Sequence, residues 1–363
     1  MQVIPDRSAT ITPTLDEILT AEIARLMETG AGRMRSHGPA AVDLWDQATA
    51  ALAGGKRIRP RLLVETYDAL ALDGDAPEPR SLALRLAATL EILHVAFLLH
   101  DDVIDGDLTR RGRDNLIGAL HRRTAGRDAE RSLHWARTGA ILVGDLLIAL
   151  THQSVARLPL ALERRTSVLD LLDDAVCETV AGEFLDVSLG DGALAPDAPT
   201  VLRMTRSKTA AYSVELPLRW AAVLAGAGPV AEHALERVGR HVGLAYQLQD
   251  DALSVFGDAT RHGKDPFSDL REGKETAIIA YARTTGAWDR IREHLGAPDL
   301  SEEQALALRS LLADCGARHH VESLAAAEME AARGLLADGE GALPSRVRPV
   351  LVHLLDELED RAA

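Results

Sequence analysis

LALRLAATLEILHVAFLLHDDVID, residues 82–105, sets Leu82, Leu86, Leu90, Leu93 and Phe97 at intervals of three and four before it delivers Asp101, Asp102 and Asp105. That interval belongs to an α-helix. On a helix, Asp101 and Asp105 share a face one turn apart, with Asp102 beside them. Carboxylates so placed repel one another, and near a helix C-terminus they also oppose the macrodipole, which prefers cations there. A hard divalent cation such as Mg²⁺ relieves both conflicts, because it takes oxygen ligands and is usually completed by substrate phosphates.

The same periodicity runs outward along nearly the whole chain, and strand-like alternation is absent, so the fold class is all-α. Long helices are expected at roughly 80–100, 129–156, 158–188 and 229–255, several of them apolar around much of their circumference, as in a large helical bundle. The breaks fall at 72–79, 189–199, 226–229, 256–274 and 337–345, which are rich in Gly, Pro and Asp. They punctuate helices without dividing the composition, so residues 1–363 read as a single all-helical domain.

A net charge of -15, with only four each of Trp, Tyr and Phe, argues against nucleic acid or an anionic membrane surface as partner and favours a small molecule. Cys177 and Cys315 are too few for a disulfide framework and are expected as two packed thiols in a reducing compartment. The first residues show no signal peptide, and no apolar run reaches the roughly 18 residues of a membrane span, so a cytoplasmic protein is expected.

A second acidic group, Asp250-Asp251-Ala-Leu-Ser254, repeats the logic of the first, and basic residues follow each. Arg110, Arg111 and Arg113 trail the first group; Gly263-Lys264 and Asp269-Leu-Arg-Glu-Gly-Lys274 trail the second. Two more basic clusters, Gly54-Gly-Lys56-Arg57-Ile-Arg59-Pro-Arg61 and Arg206-Ser-Lys208-Thr209, stand out on an acidic protein and suit a multiply charged anion. Each has a plainer reading: a solvated basic turn for the first, a helix-start pair for the second. Glu91-Ile-Leu-His94 meets the Glu-x-x-His element of a di-iron bundle but lacks a second copy. Asp173, Asp174 and Glu178 have no basic companion in sequence and read as a solvated helix edge.

In order along the chain, GGKRIRP (54–60), DDVID (101–105) with its RRG, GEFLD (182–186), Lys208-Thr209, QLQDD (247–251), and GK (263–264) with DLREGK (269–274) resemble the trans-isoprenyl diphosphate synthases, the polyprenyl synthetases, over nearly the whole length. The resemblance implies a helical bundle around a deep cavity, with both acidic helices at its mouth and Mg²⁺ between them, about three ions with substrate bound. It implies a prenyltransferase that joins isopentenyl diphosphate to an allylic diphosphate, working as a homodimer. Asp101, Asp105 and Asp250 would be the main metal ligands, supported by Asp102 and Asp251. Lys56, Arg59, His94 and Arg111 would hold isopentenyl diphosphate. Arg110, Lys208 and Lys264 would hold the allylic diphosphate, with Lys274 a further substrate-binding residue, and Thr209 and Gln247 would line the reacting centre.

Two positions depart from the family pattern: Ser254 stands where most members carry a third aspartate, and Asp114 where proline is usual. By the same resemblance, Phe97 and Ala96, four and five residues before Asp101, bear on product length and point to a C20 product, geranylgeranyl diphosphate, with C15, farnesyl diphosphate, as the alternative. A non-catalytic partner subunit of a heteromeric prenyltransferase, or a class I terpene cyclase, are the other readings. The first would have lost aspartate ligands, and the second has no need of the GGKRIRP cluster.

Overall fold

The computed structural model describes residues 13–110, 112–124, 126, 128–257, 267–297, 299–338 and 343–362. The helices are α1 (Leu15–Met34), α2 (Pro39–Ala51), α3 (Ile58–Leu70), α4 (Arg80–Asp105), α5 (Leu116–Arg123), α6 (Ala129–Ala156), α7 (Leu162–Gly190), α8 (Ala198–Thr205), α9 (Leu216–Ala225) and α10 (Gly228–Phe256). Then come α11 (Ser268–Glu272), α12 (Ala277–Ala282), α13 (Trp288–Ile291), α14 (Glu302–Asp314), α15 (Ala317–Asp338) and α16 (Val347–Ala362). A π-helical stretch, Arg206–Glu215, joins α8 to α9. The all-α reading holds, and the only strands among the described residues form a hairpin in which Thr109 faces Asp114 and Arg110 faces Arg113.

Local chemistry sets the helix ends. Thr14 and Glu17 close a capping box at the start of α1, Asp128 accepts from the Arg131 N–H at the start of α6, and Asp197 accepts from the Thr200 N–H ahead of α8. Pro159 holds the chain out of the helix after α6, so α7 starts at Leu162 rather than near 158. At its other end α4 runs on through the three aspartates and stops at Gly106, whose φ of 75° is the left-handed conformation that ends a helix.

α4 is buried on most of its circumference and packs against α1, α3, α6 and α9. Leu86, Leu90 and Leu93 join one core with residues of α3, α7, α9 and α10; Ala88, Ile92 and Ala96 join a second with α1, α2, α5 and α6. α10 ties the first core to a third, around α11 to α15, through Leu248 and Val255. Each fully buried Leu or Ile contributes about 1.5–3 kcal/mol. The indole of Trp220 lies wholly inside the first core and donates to the Val168 carbonyl at 3.0 Å, so the polar atom of a buried aromatic is satisfied.

Two expectations need correction. α4 and α6 are each long and apolar enough, by length and composition, to cross a membrane; counting uninterrupted apolar runs missed them because a span tolerates one or two charges. In α4, 78% of the apolar window is buried inside the protein, as befits a core helix, against 44% in α6. Cys177 is exposed rather than packed, while Cys315 is half-buried, and both are free.

Candidate active site

Because Gly106 turns the chain at the end of α4, the hairpin folds back and brings Arg110 onto the aspartates. Its Nη2 stands 3.0 Å from Asp101 Oδ2 and 2.6 Å from Asp102 Oδ1, and its Nε donates to Asp102 Oδ1 at 2.8 Å. Burial pushes the Asp102 carboxyl up to about 6 despite Arg110. Burial also acts on Asp101, but Lys208, Arg110 and Lys274 outweigh it and hold that carboxyl down at about 2.

Lys208 reaches Asp101 from the π-helical stretch, whose widened turns are a frequent mark of functional sites. Its Nζ lies 3.0 Å from Asp101 Oδ1, 3.0 Å from Glu183 Oε2 and 2.7 Å from Asp186 Oδ2, so it ties the end of α4 to the last two turns of α7. Two glycines allow this. A Cβ on Gly182 of α7 would stand 2.3 Å from the Lys208 backbone nitrogen, and one on Gly243 of α10 would stand 2.4 Å from Ala210 Cβ. Both long helices therefore close on the π-helical backbone at positions where a methyl group does not fit.

α10 brings the second acidic group to the same place. Asp251 is buried and accepts from Gln247 Nε2 at 2.8 Å, and burial pushes its carboxyl up to about 8. Ser254, one turn beyond Asp250, donates to Asp269 Oδ2 at 2.5 Å. From the turn after α11, Lys274 Nζ crosses to Asp105 Oδ2 at 2.7 Å and to Glu272 Oε2 at 3.1 Å. Burial disfavours the Lys274 charge, but Asp105, Asp269 and Glu272 together raise its pKa.

One cavity of about 600 Å³ collects most of these groups, although Asp102, Asp105 and Glu272 do not line it. Asp101, Glu183, Asp186, Asp250, Asp251 and Asp269 line it together with Arg59, Arg110, Lys208 and Lys274, and Thr209 and Gln247 lie on the same wall. Its apolar side includes Phe97, Ile148, Val187 and Met204. The two acidic helices thus converge on one chamber. The oxygen donors outnumber the cations, and burial raises the pKa of Asp105, Glu183 and Asp251, as expected where carboxylates lack enough positive charge. Such a donor set fits Mg²⁺. Among the described residues no three acidic, His or Cys side chains already stand at metal-ligand spacing; Lys208 and Lys274 bridge the acids instead.

A second cavity, of about 530 Å³, is lined by Gly54, Gly55, His94, Asp102, Arg110 and Arg113, and shares His94, Leu98 and Arg110 with the first. The basic run ahead of α3 divides here. Arg57, in the left-handed region at φ 47°, is buried and donates to the Asp16 carbonyl at 2.9 Å and to Thr20 Oγ1 at 2.6 Å, a structural role. Arg59 faces the main cavity, whereas Lys56 is exposed and lines neither. Arg111 and Lys264 lie outside the described residues. Ala96 is fully buried in the second core and does not line the cavity beside Phe97, since adjacent helical residues point about 100° apart.

Sequence reasoning missed Tyr212. Its hydroxyl lies 3.1 Å from His94 Nδ1 and 3.4 Å from Arg59 Nη2, its ring packs edge-on to Phe97 at 5.0 Å, and the Arg59 guanidinium sits 5.0 Å above it. The available signal was position, one turn after Lys208 on the same face. Glu183 and Asp186 were legible as part of a motif but without a role, and Glu178, read as a solvated edge without a basic companion, pairs with Arg206 at 3.3 Å.

Residues 44–311 match the family model described as polyprenyl synthetase. A geranylfarnesyl diphosphate synthase of Aeropyrum pernix is 33% identical over 312 residues, 85% of this chain and 91% of that protein. A short chain isoprenyl diphosphate synthase of Methanocaldococcus jannaschii is 33% identical over 255 residues, covering 69% of this chain and 70% of its own. Among solved structures, a geranylgeranyl pyrophosphate synthase of Corynebacterium glutamicum, complexed with isoprenyl diphosphate and magnesium, superposes with a TM-score of 0.86 at 28% identity over 96% of this chain and 98% of that one.

Proposed function

The chain belongs to the polyprenyl synthetase family and is a prenyltransferase, and from that premise we propose that it condenses isopentenyl diphosphate with an allylic diphosphate to give geranylgeranyl diphosphate, C20, with release of pyrophosphate. The observation that carries this reading is the single cavity shared by Asp101 of α4 and Asp250 and Asp251 of α10, with cations around its polar end and Phe97 in its apolar wall.

Asp101, Asp105 and Asp250, supported by Asp102 and Asp251, would hold Mg²⁺, about three ions with substrate bound, and the metal would supply positive charge to neutralise the pyrophosphate leaving group. Arg110, Lys208 and Lys274 leave their carboxylates to grip the allylic diphosphate, adding positive charge where negative charge develops as the C–O bond breaks. Arg59 from the main cavity and His94 where the two cavities meet, both braced by Tyr212, hold isopentenyl diphosphate together with the backbone of Gly54 and Gly55 in the second cavity. Its double bond attacks the allylic cation, the new C–C bond forms, and a proton leaves the product for the departing pyrophosphate. Thr209, and Gln247 with its amide N–H engaged by Asp251, offer oxygen lone pairs to the positive charge. The apolar wall keeps out water that would quench the cation.

Retention of the first acidic group whole, together with Asp250 and Asp251, speaks for catalysis rather than a non-catalytic partner role. A row of exposed apolar residues on α6, Trp135, Ile141, Leu142 and Leu146, supports a homodimer. Products named among the relatives extend from farnesyl to octaprenyl diphosphate, so product length rests on Phe97, with farnesyl diphosphate as the alternative. The test is incubation of the purified chain with Mg²⁺, isopentenyl diphosphate and each of dimethylallyl, geranyl and farnesyl diphosphate, followed by chromatography of the dephosphorylated alcohols. A C20 alcohol is expected, and no elongation from any primer rules out the activity.

A further inference from the structure

Glu215 is buried at the C-terminal end of the π-helical stretch and lines neither cavity, yet charge gathers around it. Arg206, at the other end of the stretch, directs its Nε to Glu215 Oε1 at 3.4 Å, and Arg240 of α10 directs its Nε to Glu215 Oε2, also at 3.4 Å. Arg206 pairs in addition with Glu178 of α7 at 3.3 Å, and Ser207 donates to the same carboxylate at 3.2 Å. α10 closes on Glu215 at a glycine, since a Cβ on Gly239 would stand 3.1 Å from the Glu215 Cα. Burial pushes the Glu215 carboxyl up; Arg206 opposes the rise, Glu178 adds to it and Arg240 opposes it. A buried ion pair adds little net stability, because desolvation offsets the attraction. What this one fixes is geometry.

Residues nine apart lie on opposite faces of an α-helix, about 180° around it at 3.6 residues per turn. In a π-helix, whose hydrogen bonds span five residues rather than four, nine residues make about two turns and return to the same face. The Arg206 and Glu215 side chains therefore meet because the stretch is widened, and their pairing favours the widened form over the α form. Lys208 and Ser213, five residues apart, feel the same change: they stand little more than one turn apart in the π form, but about 140° apart around an α-helix. Lys208 reaches Asp101, Glu183 and Asp186. Ser213 is buried and accepts from Arg59 Nε at 2.9 Å, beside Tyr212, whose hydroxyl meets both Arg59 and His94. One piece of backbone thus carries the groups set toward both diphosphates.

From this geometry, and resting on the substrate assignment proposed above, we infer that Glu215 is a positioning residue. Its pair with Arg206 holds the stretch in the π-helical form, which keeps Lys208 at the allylic diphosphate and, through Ser213 and Tyr212, keeps Arg59 at isopentenyl diphosphate. Arg240 and Glu178 tie that pair to α10 and α7, the two helices that also pack on the stretch through Gly243 and Gly182.

The experiment is steady-state kinetics of the full chain with Mg²⁺, isopentenyl diphosphate and geranyl diphosphate, at a temperature where circular dichroism shows each variant folded. Glu215→Gln keeps the size of the side chain and removes its charge, while Arg206 keeps Glu178 and Arg240 keeps Glu236. Both KM values rise at least about threefold in Glu215→Gln and in Arg206→Gln, and in the double variant they rise no further than in the more affected single one. A residue that merely stabilised the fold would reduce the amount of active enzyme, lowering the apparent kcat and leaving both KM values at wild type. Unchanged KM values, a rise in one of them only, or effects that multiply in the double variant overturn the inference. Should Glu215→Gln fail to fold, Arg206→Gln decides alone: a rise in both KM values supports the pair, and wild-type values overturn it. A wild-type chain that does not elongate geranyl diphosphate overturns the substrate assignment and the inference together, whereas an active wild type with unaltered KM values in the variants overturns only the inference.

Discussion

Asp251 is a carboxyl that the metal-free fold holds in the wrong charge state for a metal ligand. Its ordinary value is 3.8 and burial lifts it to about 8, so the folded form prefers the proton. Below about pH 3.8 both folded and unfolded chains are protonated and the group is neutral to stability. Between 3.8 and 8 the unfolded chain gains by ionising while the folded chain does not, and above 8 the cost is constant and full. In the presence of a chelator, Asp251→Asn should thus melt with wild type near pH 4 and at least about 3 °C above it at pH 8; a constant difference across that range contradicts the assignment. Phe97 makes a different prediction. Its ring lines the apolar wall and meets Tyr212 edge-on, so Phe97→Ala should deepen the chamber and lengthen the product by one or more isoprene units, read by chromatography of the alcohols. An unchanged product length means that Phe97 is not the floor. The two residues differ in how readable they were. Helical spacing alone put Phe97 one turn below Asp101, but the role of Tyr212 depends on His94 and Arg59, far away in the chain, and the raised pKa of Asp251 on burial and on charges such as Asp269 that only the fold brings near.

At the scale of elements, the site depends on how closely α7 and α10 approach the π-helical stretch between them. Gly182 and Gly243 set that distance, and each would have a Cβ driven into the backbone or side chain of the stretch. Gly182→Ala should therefore cost about 1–3 kcal/mol by overpacking and displace Lys208 from Asp101, Glu183 and Asp186. The expected signature is a lower melting temperature together with a loss of kcat larger than the stability loss explains; an unaltered kcat would show that the close approach is not needed. The helices themselves were legible, because three-four apolar spacing and Gly, Pro and Asp breaks mark them directly. The π-helical widening was not: Arg206–Glu215 carries no Gly, Pro or period change to betray it, and its close packing against Gly182 of α7 and Gly243 of α10 is a property of the fold. Nor could spacing foresee that Lys56 would lie outside both cavities while Arg57, two residues before Arg59, turns inward to α1.

For the whole molecule, the central matter is that residues 149 positions apart, Asp101 and Asp250, share one chamber. Sequence order supplied the two acidic groups and their basic companions, but their convergence follows from three joined cores that set α4 and α10 around one cavity. The cations now paired with acid, Lys208 with Asp101 and Lys274 with Asp105, are the same groups that we propose hold the diphosphate. The decisive measurement is the anomalous scattering of crystals grown with Mn²⁺ and pyrophosphate. The account predicts Mn²⁺ peaks around one pyrophosphate, with Asp101 ligating from α4 and Asp250 from α10. Peaks bound by one helix alone, with the other acidic group still paired only to protein cations, would contradict it.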